Sequence, residues 1–267
     1  MCIRDRSGGV DRSRTNEEDL QRARAGTDWP VHNRTIWVGE SMAPVRTGLD
    51  ERLEQLQSQL VDDLDEVRRI YALSIASLVK LDVGNVDEVI KARDQARKIS
   101  WERTGDILLV LSLNQPMMGD LRMISTILRG ADTVERANRH ARDISMISQY
   151  LVDEVGIGRI PETLSDLIQK MADSLDRVIH VIAESVNDGT ETDIEDLSGR
   201  WDDISQIWES CQEVISSTPG KDIGSKAGRL NLFKAISRIE RTGYNFIRFA
   251  SYWHHALKNE WISIGKQ

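Results

Sequence analysis

The stretch that decides the fold runs from Gln115 to Ile144 and reads QPMMGDLRMISTILRGADTVERANRHARDI. Proline lacks an amide hydrogen and restricts the residue before it, so Gln115-Pro116 predicts a helix boundary. Asp120 then falls in the first turns of the next helix, where a carboxylate favours the positive end of the helix dipole. Apolar residues follow at steps of three and four, which predicts one apolar face made of Leu121, Ile124, Leu128 and Ala131.

The Glu-Arg pair inside this stretch recurs later in the chain. Glu135-Arg136 aligns with Glu240-Arg241 at an offset of 105 residues, and Arg248 falls near the position equivalent to Arg142. A weak internal repeat of this kind predicts two related halves, each built around its own Glu-Arg helix.

The composition favours long helices in an acidic chain. Of the 267 residues, 40% are hydrophobic, 29% charged and 5% aromatic, which suits helices better than a β-rich fold. The net charge of −8 argues against a nucleic-acid-binding protein, although a local basic patch would escape this argument. Cys2 and Cys211 lie far apart and show no metal-ligand spacing, so a reducing cytoplasm is expected and a disulfide framework is not. The sequence has no run of about 18 apolar residues, so no membrane span is predicted.

The apolar pattern predicts six helices. The first, from about Thr47 to Leu81, carries an apolar residue at every third or fourth position, a stripe typical of helical bundles. The second, from about Val86 to Leu113, contains the run Ile107–Leu111, which is apolar nearly all round and predicts a central helix. The others are expected from Pro116 to about Val152, from Pro161 to about Asn187, around residues 197–215, and from Lys226 to Trp261.

The clearest internal boundary is Gly156–Pro161, because glycines loosen the backbone and proline suits the opening of a helix. It separates two expected three-helix repeats, residues 46–155 and 160–262. Residues 1–45 are polar and irregular and are predicted to be disordered or loosely attached. The sequence therefore predicts an all-α fold of two pseudo-symmetric three-helix bundles, with antiparallel neighbours.

The chain resembles the PhoU family over about Leu49 to Leu257. The resemblance rests on the Gln-Pro and Asp-Leu-Arg segment and on the helix that follows it, which contains Glu-Arg, small residues and His-Ala. That family regulates phosphate uptake and phosphate signalling. The resemblance implies a cytoplasmic, PhoU-like bundle protein that is not an enzyme and acts by protein contacts to restrain phosphate uptake. It also implies a homodimer whose partner is the ATPase subunit of a phosphate transporter or a sensor kinase.

PhoU relatives carry Glu-x-x-x-Asp on the third helix of each half, which implies metal clusters. In this chain Arg139 and Tyr244 occupy the aspartate positions that follow Glu135 and Glu240. Arginine cannot ligate a cation and repels it, by about 4 kcal/mol per unit charge at about 4 Å and an effective dielectric near 20. We therefore expect the family's clusters to be lost or much reduced. Two roles remain open for these glutamates. Either a residual metal ion binds at Glu135 or Glu240, or Glu135 simply forms an ion pair with Arg139.

The remaining motif residues are assigned to a partner-facing surface: Asp120, Arg122, Arg136, Arg139 and Arg241. The basic stretch Lys91–Lys98 is interpreted as a solvated face, with an acidic or phosphate-rich partner as the alternative. His140 is interpreted as a structural histidine, and Tyr244, like Phe246 and Trp253, as a core residue.

The sequence contains no glycine-rich phosphate loop and no Gly-x-Ser-x-Gly, His-Glu-x-x-His or Cys-x-x-Cys motif, so catalysis is not expected. Two other classes of protein stay open. One is a helical scaffold that kept the bundle and lost the phosphate connection. The other is a metal-storage or metalloenzyme bundle.

Overall fold

A computed structural model describes residues 47–156, 159–219, 223 and 226–264. Within these residues it contains six helices and no strand, so the predicted all-α class is confirmed. The prediction for residues 1–45 lies outside the described residues. The helices are α1 (Thr47–Lys80), α2 (Val86–Leu113), α3 (Met118–Asp153), α4 (Glu162–Asp188), α5 (Ile194–Ser217) and α6 (Lys226–Lys258).

The helix ends follow local signals in the sequence. The amide of Met117 donates to the Asp120 carboxylate at 2.8 Å, so Asp120 caps the first turn of α3, where the sequence placed it. At the other end of a helix, α4 stops at Gly189, whose φ of 63° is left-handed and favours glycine. Helix α6 ends three residues before the predicted Trp261, where Asn259 takes a φ of 61°.

The six helices form two three-helix bundles. Helices α1, α2 and α3 pack together, and so do α4, α5 and α6. The bundles meet along two pairs, α1 with α4 and α3 with α6. Each pair joins helices that occupy the same position in their own half. The predicted pseudo-symmetric arrangement is therefore confirmed.

One large hydrophobic core runs through both bundles. It includes Leu64 of α1, Ile144 of α3, Met171 of α4 and Trp253 of α6, all fully buried. A smaller cluster lies where the start of α1 meets the end of α2 and the start of α3. The predicted apolar stripe of α1 is buried in these two clusters along its whole length. The two bundles are thus held together by burial of apolar surface as well as by their connection.

Gly130 marks the closest approach between α3 and its neighbours. A Cβ at this position would lie 2.7 Å from Leu60 Cδ2 on α1 and 3.0 Å from Phe249 Cε2 on α6. Both neighbours are buried, so they have little room to move aside. Glycine is therefore required for α3 to lie between α1 and α6.

Two of the predicted apolar faces are wrong in part. Helix α2 is not central: it packs against α3 and α1, which bury Ile107 and Val110 but leave Leu108 and Leu109 exposed. On α3, Ile124 and Ala131 are buried as predicted, whereas Leu121 and Leu128 are exposed. In both helices the sequence identified apolar residues correctly but could not show which of them a neighbouring helix covers.

Candidate functional site

The two Glu-Arg helices, α3 and α6, lie against each other in opposite directions. Nδ1 of His140 lies 2.8 Å from Oγ1 of Thr242, and the carboxylate of Asp143 lies 3.2 Å from the guanidinium of Arg238. Residue numbers rise along α3 as they fall along α6, so the pair is antiparallel. The two copies of the repeated motif therefore meet near the middle of the molecule.

Glu135 lies between two guanidinium groups. Its carboxylate is 4.0 Å from Arg93 on α2 and 4.0 Å from Arg139, one turn further along α3. The Glu135–Arg139 pair expected from the sequence is present, and it is shared with Arg93. Most of the Arg93 side chain is buried, so this residue does not belong to a fully solvated basic face, although its neighbours Arg97 and Lys98 do.

Glu240, the equivalent residue in the second half, lies beside an aromatic surface. Its nearest cation is Arg241 at 3.8 Å, and burial raises its pKa, with Arg241 acting in the opposite direction. Tyr244, one turn further on, is exposed; its ring centroid lies 5.9 Å from that of Trp201 and 5.7 Å from the Arg248 guanidinium. The prediction that Tyr244 is a core residue is therefore wrong, because it lies on the outer face of α6.

Neither glutamate provides the donor set of a metal cluster. Across the described ranges, no three His, Cys, Asp or Glu side chains come together in a group that could hold a metal ion. Hard cations need several oxygen ligands, whereas each glutamate here has an arginine beside it. The residues present do not fit the family's metal clusters. A residual single ion at Glu135 or Glu240 stays a prediction, which elemental analysis can test.

A buried polar cluster joins three helices close to these glutamates. The Thr242 hydroxyl donates to the carbonyl oxygen of Arg238 at 2.9 Å. It also lies 2.6 Å from the Tyr71 hydroxyl and 2.8 Å from Nδ1 of His140. The Tyr71 hydroxyl also lies 3.3 Å from the same Arg238 carbonyl oxygen, so both hydroxyls reach this acceptor. Hydrogen bonds among these side chains therefore link α1, α3 and α6.

The surroundings of His140 keep it neutral. Burial, together with Arg238, Arg139 and Arg136, lowers its pKa to about 4, while Asp143 opposes this shift. Its hydrogen bond to Thr242 agrees with the interpretation of His140 as a structural histidine.

The contact between Thr242 and His140 is not a nucleophile paired with a general base. Thr242 is fully buried, and its hydrogen is directed to a main-chain carbonyl. A histidine with a pKa near 4 is also a poor base at neutral pH. The cluster therefore connects α1, α3 and α6 and offers no reacting group to a substrate.

Four arginines lie at the surface of α3 and α6 near the place where these helices meet, and each is within 4.0 Å of a carboxylate. We call this surface the arginine face, and it consists of Arg136, Arg139, Arg238 and Arg241. Their side chains are between 42% and 69% exposed. The three that the sequence assigned to a partner-facing surface are thus at the surface. Arg238 is a fourth arginine at this surface, and it was not among the residues assigned from the sequence.

A shallow depression of about 320 Å³ lies at one edge of the arginine face. It is lined by Arg238, Arg241, Lys234, Phe233 and Ser237. The depression combines positive charge with one aromatic side chain and one hydroxyl. Such a surface can receive carboxylates or other anionic groups of a partner.

The structure does not bring Asp120 and Arg122 together with the arginine face. Arg122 lies 14 residues before Arg136 on the same helix, or about 21 Å along its axis. Asp120 caps the helix, and Arg122 is partly buried, with its Nε buried and lacking a hydrogen-bond partner. The site predicted from the sequence therefore divides into a helix cap and a separate arginine face.

These features define a class: an all-α protein of two three-helix bundles, joined by paired central helices, with a charged surface where those two helices meet. Among the described residues, no helix combines the length and apolar composition of a membrane-spanning segment. The PhoU domain family model matches residues 60–148. Residues 60–148 therefore match the PhoU domain, and the predicted resemblance of the chain to the PhoU family is confirmed.

The chain is similar in sequence to one curated protein and similar in fold to two solved structures. The phosphate-specific transport system accessory protein PhoU homolog 2 of Methanothermobacter thermautotrophicus is 29% identical over 126 residues, which is 46% of this chain and 56% of that relative. The crystal structure of PhoU from Pseudomonas aeruginosa matches with a TM-score of 0.70 and 16% identity, over 79% of this chain and 100% of that one. The phosphate transport system regulatory protein PhoU from Streptococcus pneumoniae matches with a TM-score of 0.67 and 15% identity, over 80% of this chain and 99% of that one.

Proposed function

We propose that this chain is a cytoplasmic, non-enzymatic regulator of phosphate transport and phosphate-dependent signalling that restrains phosphate uptake. The observation that carries this proposal is the PhoU-domain match over residues 60–148, because it includes Glu135, Arg136 and Arg139. The similar proteins are named as an accessory protein and a regulatory protein of phosphate transport systems. The lack of a catalytic pair in the buried cluster is consistent with regulation by binding.

The arginine face is the contact surface in this proposal. Arg136 and Arg139 belong to α3, and Arg238 and Arg241 belong to α6, so a partner that binds all four contacts both halves. Guanidinium groups form paired hydrogen bonds with carboxylates, which favours an acidic helix or loop as the binding segment. The expected partner is the ATPase subunit of a phosphate importer or a sensor kinase. A partner that binds across both halves would respond to a structural change at the junction of the halves. Regulation would therefore depend on the conformation of that junction.

Copurification with the importer ATPase subunit tests the contact. A triple variant with Arg136→Glu, Arg139→Glu and Arg241→Glu reverses the charge of the arginine face and is expected to abolish copurification. The matched control reverses the same number of charges on other exposed residues: Arg52→Glu, Arg159→Glu and Arg177→Glu. The control is expected to copurify as the unmodified chain does. If both variants copurify equally with the ATPase subunit, the arginine face is not the contact surface.

One observation favours a second candidate, a helical scaffold without a phosphate connection. Arg139 and Tyr244 occupy the positions where the resemblance implies acidic metal ligands, so this chain lacks carboxylates there. A scaffold would bind its partner regardless of phosphate supply, and its deletion would leave phosphate uptake unchanged. A regulator would change uptake when deleted.

A further inference from the structure

A depression lined by aromatic side chains lies where α5, α6 and the segment after α6 come together. We call it the aromatic depression and define it by Trp201, Tyr244, Arg248, Tyr252 and Trp261. Its volume is about 760 Å³, and small-molecule sites are typically about 300–1,000 Å³. The chain has seven Trp, four Tyr and three Phe, so this one place holds four of its 14 aromatic rings. Such a grouping indicates a binding surface, because exposed aromatic residues are usually scattered.

Contacts between the rings fix their positions. Tyr244 and Tyr252 are eight residues apart on α6, or about 12 Å along the helix axis. The ring centroid of Trp201 on α5 lies 5.9 Å from that of Tyr244. The Trp261 ring meets Tyr252 edge-on at 5.8 Å and stacks on His255 at 3.9 Å. The two tryptophans therefore lie beside different tyrosines, on a surface about two turns of α6 long.

Trp261 is held at the surface although it lies beyond the end of α6. Ile264, three residues further on, is buried in the large hydrophobic core and anchors this segment. The Trp261 side chain is nevertheless 65% exposed. A large flat ring that its neighbours orient but do not cover can stack on a ligand with little further loss of side-chain freedom.

Two arginines accompany these rings. The Arg248 guanidinium lies 5.7 Å from the Tyr244 ring centroid and donates to the Tyr252 hydroxyl at 2.9 Å. The Arg129 guanidinium on α3 lies 4.3 Å from the centroid of the same Tyr252 ring. Within the described residues neither arginine forms an ion pair, in contrast to the four arginines of the arginine face. Both are exposed, so their N–H donors are available to an anion from solvent.

We propose that the aromatic depression is a nucleotide-binding site. The base stacks on the exposed ring of Trp261, since every base offers a flat π face to an aromatic side chain. The phosphate groups bind Arg248 and Arg129, because guanidinium groups form paired hydrogen bonds with phosphate oxygens. Rings alone would suit any flat apolar molecule, and arginines alone would suit any anion. Their combination favours a molecule that carries both features, as a nucleotide does.

The charge of the depression favours a free nucleotide over a nucleic acid chain. A nucleic acid strand is bound along a basic groove that follows its backbone. Among the described residues that line the depression, Arg248 is the one cation, and the whole chain has a net charge of −8. A proline-rich peptide also docks on aromatic grooves, but it offers no anionic group to the two arginines.

Isothermal titration calorimetry of the full chain with ADP, adenosine and pyrophosphate tests the proposal. ADP carries both the flat ring and the anionic groups, whereas adenosine and pyrophosphate each carry one of the two. ADP is expected to bind with a dissociation constant below about 1 mM, and each of the other two compounds should bind at least about tenfold more weakly.

Two substitutions separate the two kinds of contact. Trp261→Ala is expected to weaken the binding of both ADP and adenosine about tenfold, because the stacked ring is lost. Arg248→Glu is expected to weaken ADP binding about tenfold or more and to leave adenosine binding unchanged, because adenosine has no phosphate. Trp261→Phe keeps a ring and Arg248→Lys keeps the charge, so each should recover most of the affinity for ADP.

Trp101 and Arg97 on α2 provide the matched controls. The Trp101 ring is 63% exposed and has the Arg97 guanidinium 4.6 Å from its centroid, so this pair also combines a tryptophan with an arginine. Neither residue lines the aromatic depression. Trp101→Ala and Arg97→Glu are therefore expected to leave ADP binding unchanged.

Three results would overturn the proposal. The first is no measurable binding of ADP at about 1 mM. The second is ADP binding that the α2 variants weaken as much as Trp261→Ala and Arg248→Glu do. The third is a short adenylate oligonucleotide that binds at least about a hundredfold more tightly than ADP, because a nucleic acid would then be the occupant. The site shares no residue with the arginine face, and its test does not use phosphate uptake, so this proposal and the proposed function stand or fall separately.

Discussion

His140 on α3 and Thr242 on α6 share a hydrogen bond of 2.8 Å between Nδ1 and Oγ1, at the point where the two halves of the molecule meet. The same Thr242 hydroxyl lies 2.6 Å from the hydroxyl of Tyr71 on α1. A single buried oxygen therefore links three helices from both bundles. The residues of this cluster flank the repeated Glu-Arg motif, so the internal repeat corresponds to the place where the halves are joined.

Removal of the Thr242 hydroxyl should destabilise the fold. Thr242→Val keeps the shape of the side chain but removes the hydrogen-bond partner of His140 Nδ1 and one partner of the Tyr71 hydroxyl. An unsatisfied buried polar group costs about 1–3 kcal/mol, so a loss of about 2–3 kcal/mol in the free energy of unfolding is expected. Urea unfolding measures this loss. Thr242→Ser, which keeps the hydroxyl, should lose clearly less; equal losses would mean that the hydrogen bonds contribute little.

The stability of the chain should fall as the pH falls from about 6.5 to 4, in part because of His140. Its pKa in the folded state is about 4, lowered by burial, Arg238, Arg139 and Arg136 against the opposing effect of Asp143. In the unfolded chain His140 binds a proton near the ordinary histidine pKa of 6.5, so acid favours unfolding between pH 6.5 and pH 4. The contribution is up to about 3 kcal/mol at pH 4. The difference in unfolding free energy between the unmodified chain and His140→Asn, measured against pH, isolates this effect. A difference that does not vary with pH would contradict it.

Gly130→Ala should destabilise the junction of α1, α3 and α6. The added methyl group would lie 2.7 Å from a methyl carbon of Leu60 and 3.0 Å from the ring of Phe249, both of which are buried. Overpacking of a core costs about 1–3 kcal/mol. Thermal unfolding of this variant tests the prediction, and the control is Gly199→Ala in α5, where an added Cβ would meet nothing within 4 Å. Both substitutions raise helix propensity, so a stabilised Gly130→Ala would show that α3 does not approach its neighbours as closely as described.

The chain should bind little metal, and two substitutions near Glu135 should increase the amount of metal that it binds. Arg93 and Arg139 each lie 4.0 Å from the Glu135 carboxylate and leave it little attraction for a cation. The double variant Arg93→Ala with Arg139→Asp removes both guanidiniums and places a second carboxylate one turn from Glu135. Elemental analysis after exposure to manganese or zinc should find more metal in this variant than in the unmodified chain. Several metal equivalents in the unmodified chain would contradict the loss of the clusters.

A comparable change of charge elsewhere provides the control for the metal experiment. Arg97→Ala with Arg248→Asp also removes two arginines and adds one carboxylate, and both residues are exposed and lie outside the Glu135 group. This variant should bind no more metal than the unmodified chain does.

Local periodicity was enough to predict the helices and much of the core. The stripe of α1 is buried over its whole length, and the break at Gln115-Pro116 separates α2 from α3 as expected. Both features depend on residues close together in sequence. The two-bundle arrangement followed from the offset of 105 residues between the Glu-Arg pairs.

The contacts around the site could not be predicted in the same way. Arg238 and Asp143 are 95 positions apart in sequence, and Arg93 and Glu135 are 42 apart, yet each pair is in contact. Similarly, periodicity could not tell that the outer side of α2 has no helix over it in the described part of the chain. An apolar pattern shows that a side chain favours burial, but only the packing of distant helices decides whether it is covered.

The most direct test of the proposed regulation is phosphate uptake in cells that lack this protein. Cells without the chain are expected to take up more phosphate than the parent strain when phosphate is abundant. The unmodified chain should restore restraint, whereas the chain with Arg136→Glu, Arg139→Glu and Arg241→Glu should not. Uptake that is unchanged by deletion, or restored equally by both chains, would contradict the account.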